Sequence, residues 1–122
     1  MIHSKHLRLL TLATLVTVIG GFSFAAFVAP MDADQGVMQK IFYLHVPMAI
    51  VALGGFIYGG VAGAMHLRTG DAKWDLRSYC ALHHAVILAL GVLVTGCIWA
   101  KASWGQWWVW DEPTLVAFLI IF

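Results

Sequence analysis

The chain has 122 residues, of which 61% are hydrophobic and only 11% charged, with a net charge of +1 and a mean hydropathy of +0.86. A soluble domain carries roughly 45–50% apolar and about 25% charged residues, so these few charges cannot clothe a water-facing surface. The class is an all-α integral membrane protein, and the near-neutral balance gives no sign of nucleic-acid binding. Cys80 and Cys97 are 17 steps apart, roughly 25 Å along a helix, which is too far for a disulfide. No CxxC or CxxCH occurs, so neither thiol redox chemistry nor covalent heme attachment is indicated.

The first predicted element is Leu9–Ala29, "LLTLATLVTVIGGFSFAAFVA", 21 residues without a charge. At about 1.5 Å per residue it crosses the hydrocarbon core. Lys5 and Arg8 precede it, as they would in a signal peptide. The run exceeds the h-region length of about 7–15 residues, and Pro30 stands where cleavage would be needed, so a retained helix is expected over 9–29. The next charge-free run, Ile41–Leu67, predicts a helix over 43–67. Pro47 is placed near its first turn, where a missing N–H is harmless. Gly55, Gly59 and Gly63 recur at i, i+4, i+8 and form a small-residue ridge suited to close helix packing. The same glycines also fit the general abundance of glycine in membrane helices.

Ser78–Ala100 predicts the third helix, over 78–100. A Trp-rich segment at 101–112 precedes "PTLVAFLIIF", residues 113–122. Ten residues cannot span a bilayer. This end reads either as a re-entrant piece or, preferably, as a fourth helix cut short. The expected architecture is therefore one polytopic membrane helix bundle, with three complete transmembrane helices and a truncated fourth.

Basic residues set the orientation. Lys5, Arg8, Arg68, Lys73 and Arg77 fall at one set of ends, against Lys40 and Lys101 at the other. The first set is expected in the cytoplasm, with the N-terminus inside and the Trp-rich loop outside. His3, His6, His66, His83 and His84 are then assigned to cytoplasmic ends. His45 is left as the one imidazole on the side of the tryptophans.

The stretch "SWGQWWVWDEP" holds Trp104, Trp107, Trp108 and Trp110 beside Asp111 and Glu112. An interfacial aromatic belt explains one or two tryptophans, Trp99 among them, but explains four in seven positions poorly. Gly105 lets the backbone turn. The alternative is a platform for a large flat ligand or a cation, since indole faces stack on planar rings and attract positive charge. Indole N–H only donates, so a metal-bearing ligand would need an axial residue from elsewhere. His45 is the available imidazole, a group that suits iron. Taken alone, His45 reads as an interface residue at a helix end. Asp111 reads as an N-cap of the fourth helix, compatible with a place in the site.

Together, "WGQWWVWD" and the upstream "YLHVPMA" resemble the heme exporter protein C family, the tryptophan-rich heme-handling membrane proteins of cytochrome c maturation. The resemblance runs over essentially all 122 residues. It implies six helices in the family, with heme b bound transiently against an external Trp-rich loop between helices three and four. It implies two external histidines as axial ligands, the first matching His45 and the second lying beyond Phe122. It further implies Trp104, Trp107, Trp108, Trp110 and Asp111 at the site. The implied partners are ABC-type transporter subunits and a membrane-anchored heme chaperone, in the bacterial cytoplasmic membrane. In one departure from the family, "EPTLVAFLIIF" follows the "WD" without the usual basic residue and Leu-Thr pair. A heme propionate would then be met by indole N–H groups, Gln106 or Lys101.

The expected function is heme binding and presentation at the outer membrane face, without enzymatic bond-making. Two alternatives stand beside it. One is a transporter for quaternary ammonium compounds, with an aromatic cage and Asp111 or Glu112 as counter-charge. The other is a structural subunit that docks a partner through its Trp loop.

Overall fold

The computed structural model describes residues 2–122, with side chains from residue 5 onward. Four helices account for nearly all of it: α1 (Ile2–Phe27), α2 (Gln39–Thr69), α3 (Ala72–Trp104) and α4 (Pro113–Ile121). No strand occurs among the described residues; there is only an isolated bridge between Asp32 and Gly36. Three helices are long and apolar enough to cross a membrane, over Lys5–Phe27, Gln39–Thr69 and Ala72–Trp104. The chain is an all-α membrane protein. It divides into two compact units, Met1–Lys40 and Ile41–Phe122.

The first unit is α1 and the turn that follows it. α1 is apolar on all sides, as a helix bathed in lipid should be. The hydroxyls of Thr11 and Thr14 donate within the helix, to Leu7 O and Leu10 O, so these two protons are not left bare in hydrocarbon. Past the helix, Asp32 Oδ1 accepts the backbone N–H groups of Asp34 at 2.9 Å and Gln35 at 3.0 Å. The Gln35 and Asp34 N–H groups hold the Asp32 carboxyl below the usual carboxylate range. Gly36, at φ +56°, closes this turn. Lys40 Nζ donates to Ala26 O, answering one of the open carbonyls at the end of α1.

The second unit is a helical hairpin with α4 added. α2 ends in a turn in which Gly70, at φ +67°, takes the left-handed conformation and its N–H bonds to His66 O at 2.8 Å. Asp71 then caps α3 by accepting Lys73 N–H at 2.9 Å. Asp71→Ala should lower stability by about 1 kcal/mol, the usual loss for an N-cap, with Asp71→Ser close to the parent. Equilibrium unfolding in mixed detergent micelles measures both.

The seam between α2 and α3 is built from small residues. Ala52, Gly59 and Ala62 are buried on one helix, and Ala85, Ala89, Gly96 and Ala100 on the other. A Cβ on Gly55 would lie 2.9 Å from Ala85 Cβ, and one on Gly63 3.4 Å from Ser78 Oγ. Ser78 Oγ also donates to Gly59 O at 2.8 Å. The glycine ridge thus forms the packing face itself, as its spacing suggested.

The helices run past the charge-free segments that announced them. α2 starts at Gln39, so Pro47 lies in the helix interior and not in the first turn. The carbonyl of Tyr43 therefore lacks its i+4 donor. α3 starts six residues before Ser78 and continues through Trp104. Charged residues such as Lys73 and Arg77 are comfortable in a helix that projects beyond the hydrocarbon, and Arg77 covers the ring of Trp74 at 4.8 Å. Trp104 is accordingly the last helical residue, and the irregular segment is confined to 105–112.

Candidate functional site

The antiparallel register of α2 and α3 brings the start of one beside the end of the other. His45 Nδ1 lies 2.8 Å from Thr95 Oγ1, and a Cβ on Gly96 would lie 3.3 Å from His45 Cε1. α3 ends at Gly105, where φ +75° turns the chain, and Lys101 Nζ donates to Gly105 O at 2.8 Å. Lys101 is thereby tied to the carbonyl end of its own helix. α4 begins at Pro113, with Glu112 as its N-cap. The Glu112 carboxylate accepts Thr114 N–H at 3.3 Å and Thr114 Oγ1–H at 2.7 Å. The capping role expected of Asp111 belongs to Glu112. Proline at the first helical position makes its immediate neighbour the cap, and Asp111 stays exposed in the turn.

These elements enclose a pocket of about 240 Å³, lined by Phe42, His45, Trp99, Trp104, Glu112 and Leu115 among others. A second, more open cavity of about 570 Å³ is lined by Trp104, Gln106, Trp108, Trp110, Asp111 and Glu112. Trp104 and Glu112 belong to both and form the wall between them. The smaller pocket is below the roughly 300–1,000 Å³ of cavities that engulf a drug-sized ligand. It has room for a small group or the edge of a larger ring.

The indoles do not form one flat sheet. Trp99 and Trp104 meet edge to face at 5.0 Å and 81°, and Trp108 and Trp110 at 5.6 Å and 69°. Trp107 is 61% exposed and Trp110 72%, while Trp108 is half-buried. Two indole donors, Trp99 Nε1 and Trp108 Nε1, are buried without a hydrogen-bond partner. A dry donor of this kind costs about 1–3 kcal/mol. Trp99 was read from sequence as part of a belt; its pairing with Trp104 and its place beside His45 depend on the helix register, which sequence spacing does not display.

The remaining histidines with described side chains in this unit lie elsewhere. His66 Nδ1 donates to Asp71 O at 3.1 Å, in the turn at the far end of the hairpin, roughly 30 Å along α2 from His45. His83 stacks on Tyr79 at 5.8 Å. His84 lines a separate groove with Arg77, Cys80 and Tyr58. His83 and His84, assigned from sequence to a cytoplasmic helix end, stand well inside α3, because the helix starts at Ala72. They stand about 17 Å along the axis from Thr95, about half the thickness of a bilayer. His3 lies outside the residues whose side chains are described. Cys80 and Cys97 are both free.

The family model described as heme exporter protein C matches residues 1–122. The chain belongs to the heme exporter protein C family. It is 34% identical over 110 residues to heme exporter protein C of Rhodobacter capsulatus, covering 90% of this chain and 45% of the relative. It is 34% identical over 119 residues to that of Escherichia coli K12, covering 93% and 46%. With that of Haemophilus influenzae it shares 38% over 122 residues, covering 93% and 44%. The chain thus spans about half the length of the relatives it matches.

Proposed function

We propose that this chain carries part of a heme-binding site and serves to present heme for c-type cytochrome maturation at the outer face of a bacterial cytoplasmic membrane. Heme b is cargo here, held transiently and handed on, and no bond-making enzyme activity is involved. The observation that carries the reading is the meeting of His45 and Trp104 in one pocket that opens toward the other tryptophans, in a member of the heme exporter protein C family. In this reading His45 supplies one axial bond to iron, and Trp107, Trp108 and Trp110 offer ring faces to the porphyrin. The unpartnered Nε1 groups of Trp99 and Trp108 are donors that a carboxylate-bearing ligand could engage as the loop settles on it. Glu112 is already occupied at the helix N-terminus, so its charge is partly directed away from a propionate. Asp111 shapes the turn between the tryptophans and α4.

The excess of basic residues at the other helix ends supports an inward N-terminus and an outward Trp segment. A second axial ligand belongs to a part of the protein outside this chain. ABC-type transporter subunits and a membrane-anchored heme chaperone are the proposed partners for supply and hand-over.

Three indoles and two carboxylates around the 570 Å³ cavity also suit a quaternary ammonium ion. The absorption spectrum of the full-length protein purified from heme-replete cells separates the two readings. A Soret band is expected. Replacing Trp107, Trp108 and Trp110 together by Ala should weaken heme retention about 100-fold, at about 1 kcal/mol per ring. A colourless parent protein that binds choline in calorimetry would overturn the heme reading in favour of the cage.

A further inference from the structure

We propose that Thr95 is a positioning residue that holds the His45 imidazole in the Nδ1–H tautomer and leaves Nε2 with a free electron pair. The inference rests on the reading of His45 as an iron ligand and explains how the chain would prepare that ligand.

The argument is a count of protons. Thr95 Oγ1 carries one hydrogen. It lies 2.8 Å from Gly91 O and 3.2 Å from Val92 O, and both are carbonyl oxygens that can only accept. Two oxygens at 2.8 Å without a proton between them would oppose lone pair to lone pair, so the hydroxyl proton points back along α3. The side of Oγ1 that meets His45 is then lone pair, and the contact at 2.8 Å requires the proton on Nδ1. A neutral imidazole protonated at Nδ1 has its basic electron pair on Nε2. Free histidine prefers the opposite tautomer, so Thr95 does chemical as well as steric service. A hydrogen bond from the second ring nitrogen also fixes ring orientation and raises the basicity of the first.

Gly96 completes the seat. Its missing side chain lets the ring lie against α3, since a Cβ there would come within 3.3 Å of His45 Cε1 and 3.2 Å of Leu115 Cδ2. Local spacing does not announce this pairing, because His45 and Thr95 are 50 positions apart.

The test uses full-length protein as parent, Thr95→Val, Thr95→Ser and His45→Ala. Val removes the hydroxyl at nearly constant volume; Ser keeps it. In heme-free protein with ¹⁵N-labelled histidine, the ring nitrogen shifts of His45 should report Nδ1–H in the parent and Ser variants. The Val variant should revert toward Nε2–H. With heme, Thr95→Val should weaken retention about 10–100-fold, as outer-shell losses do, and move the spectrum toward a weaker axial field. Thr95→Ser should restore both. A Val variant with parental tautomer and spectrum overturns the proposal while His45→Ala still loses heme. Equal impairment of Val and Ser assigns the effect to packing and overturns it too. Heme retained by His45→Ala removes the axial-ligand reading, and the proposal with it.

Discussion

His45→Ala in the full-length protein should abolish the Soret signature of the bound heme or reduce it to a residual, altered band. His66→Ala, His83→Ala and His84→Ala should leave it as in the parent. The expectation follows from where each imidazole stands. His45 lies in the pocket shared with Trp99 and Trp104, and its ring is seated by Thr95 and Gly96. Loss of a direct ligand should exceed the roughly 10–100-fold effect of losing an outer-shell partner. Tryptophan cannot replace the lost bond, having no free electron pair on its ring nitrogen. His66 is spent on the hairpin turn through Asp71 O. His84 is the sharpest control. Its Nδ1 donates to Cys80 O at 2.7 Å, which leaves its Nε2 as free as that of His45, and it too lines a groove. That groove has no tryptophan in its wall. Should His84→Ala bleach the protein while His45→Ala retains heme, the site has been placed at the wrong end of the hairpin. A parental spectrum in His45→Ala alone is enough to reject the axial assignment.

Most of the architecture is written in the sequence as charge-free runs, because a helix in lipid must satisfy its own backbone and show apolar side chains all round. The ends of the helices are not written that way. Gln39, Lys40, Lys73 and Asp75 continue a helix as well as an apolar residue does, so counting charges stops short of where hydrogen bonding stops. For the same reason Pro47 looked terminal and is interior, and Trp104 looked like loop and is helix. The turn chemistry was legible where it depends on one residue, as with Gly105. It was misread where two acids compete, because the position of Pro113 and not acid identity selects Glu112 as the cap. The candidate site was legible in its chemical types: an imidazole and a cluster of indoles at one end of the helices. What could not be read was the long-range register, and hence the contacts of His45 with Thr95 and Gly96, the edge-to-face pairing of Trp99 with Trp104, and the depth of His83 and His84 along α3.

That register is itself open to test through the glycines. Gly55→Leu should destabilise the hairpin strongly, by about 1–3 kcal/mol or more as overpacked seams do, and lower the yield of folded protein. Gly54→Leu and Gly60→Leu should be close to neutral. All three substitutions add the same side chain to the same helix, so helix propensity and hydrophobicity are matched. Only the neighbour differs. A Cβ at position 55 lands 2.9 Å from Ala85 Cβ and 3.4 Å from Ala81 O, whereas at 54 and 60 nothing lies within 4 Å. The obstruction at 55 cannot move aside, because Ala85 Cβ is fixed to its backbone and Ala81 O is backbone. At Gly59 the obstruction is the Leu82 side chain, with Cγ and Cδ2 both at 2.6 Å, which can change rotamer. Gly59→Ala should therefore be milder than its shorter distance suggests, and milder than Gly55→Leu. Packing of small residues is the main attraction between helices in lipid, where burial from water no longer drives association, so forcing α2 from α3 removes the seam and not one contact in it. The displacement should reach His45 as well, since Gly96, against which its ring lies, is on the same face of α3 as Ala85 and Ala89. Gly55→Leu should then loosen heme in proportion to its loss of stability. Thermal unfolding in detergent, with heme retention read on the same samples, measures both. If Gly54→Leu proves as damaging as Gly55→Leu, the face of α2 that meets α3 has been assigned wrongly.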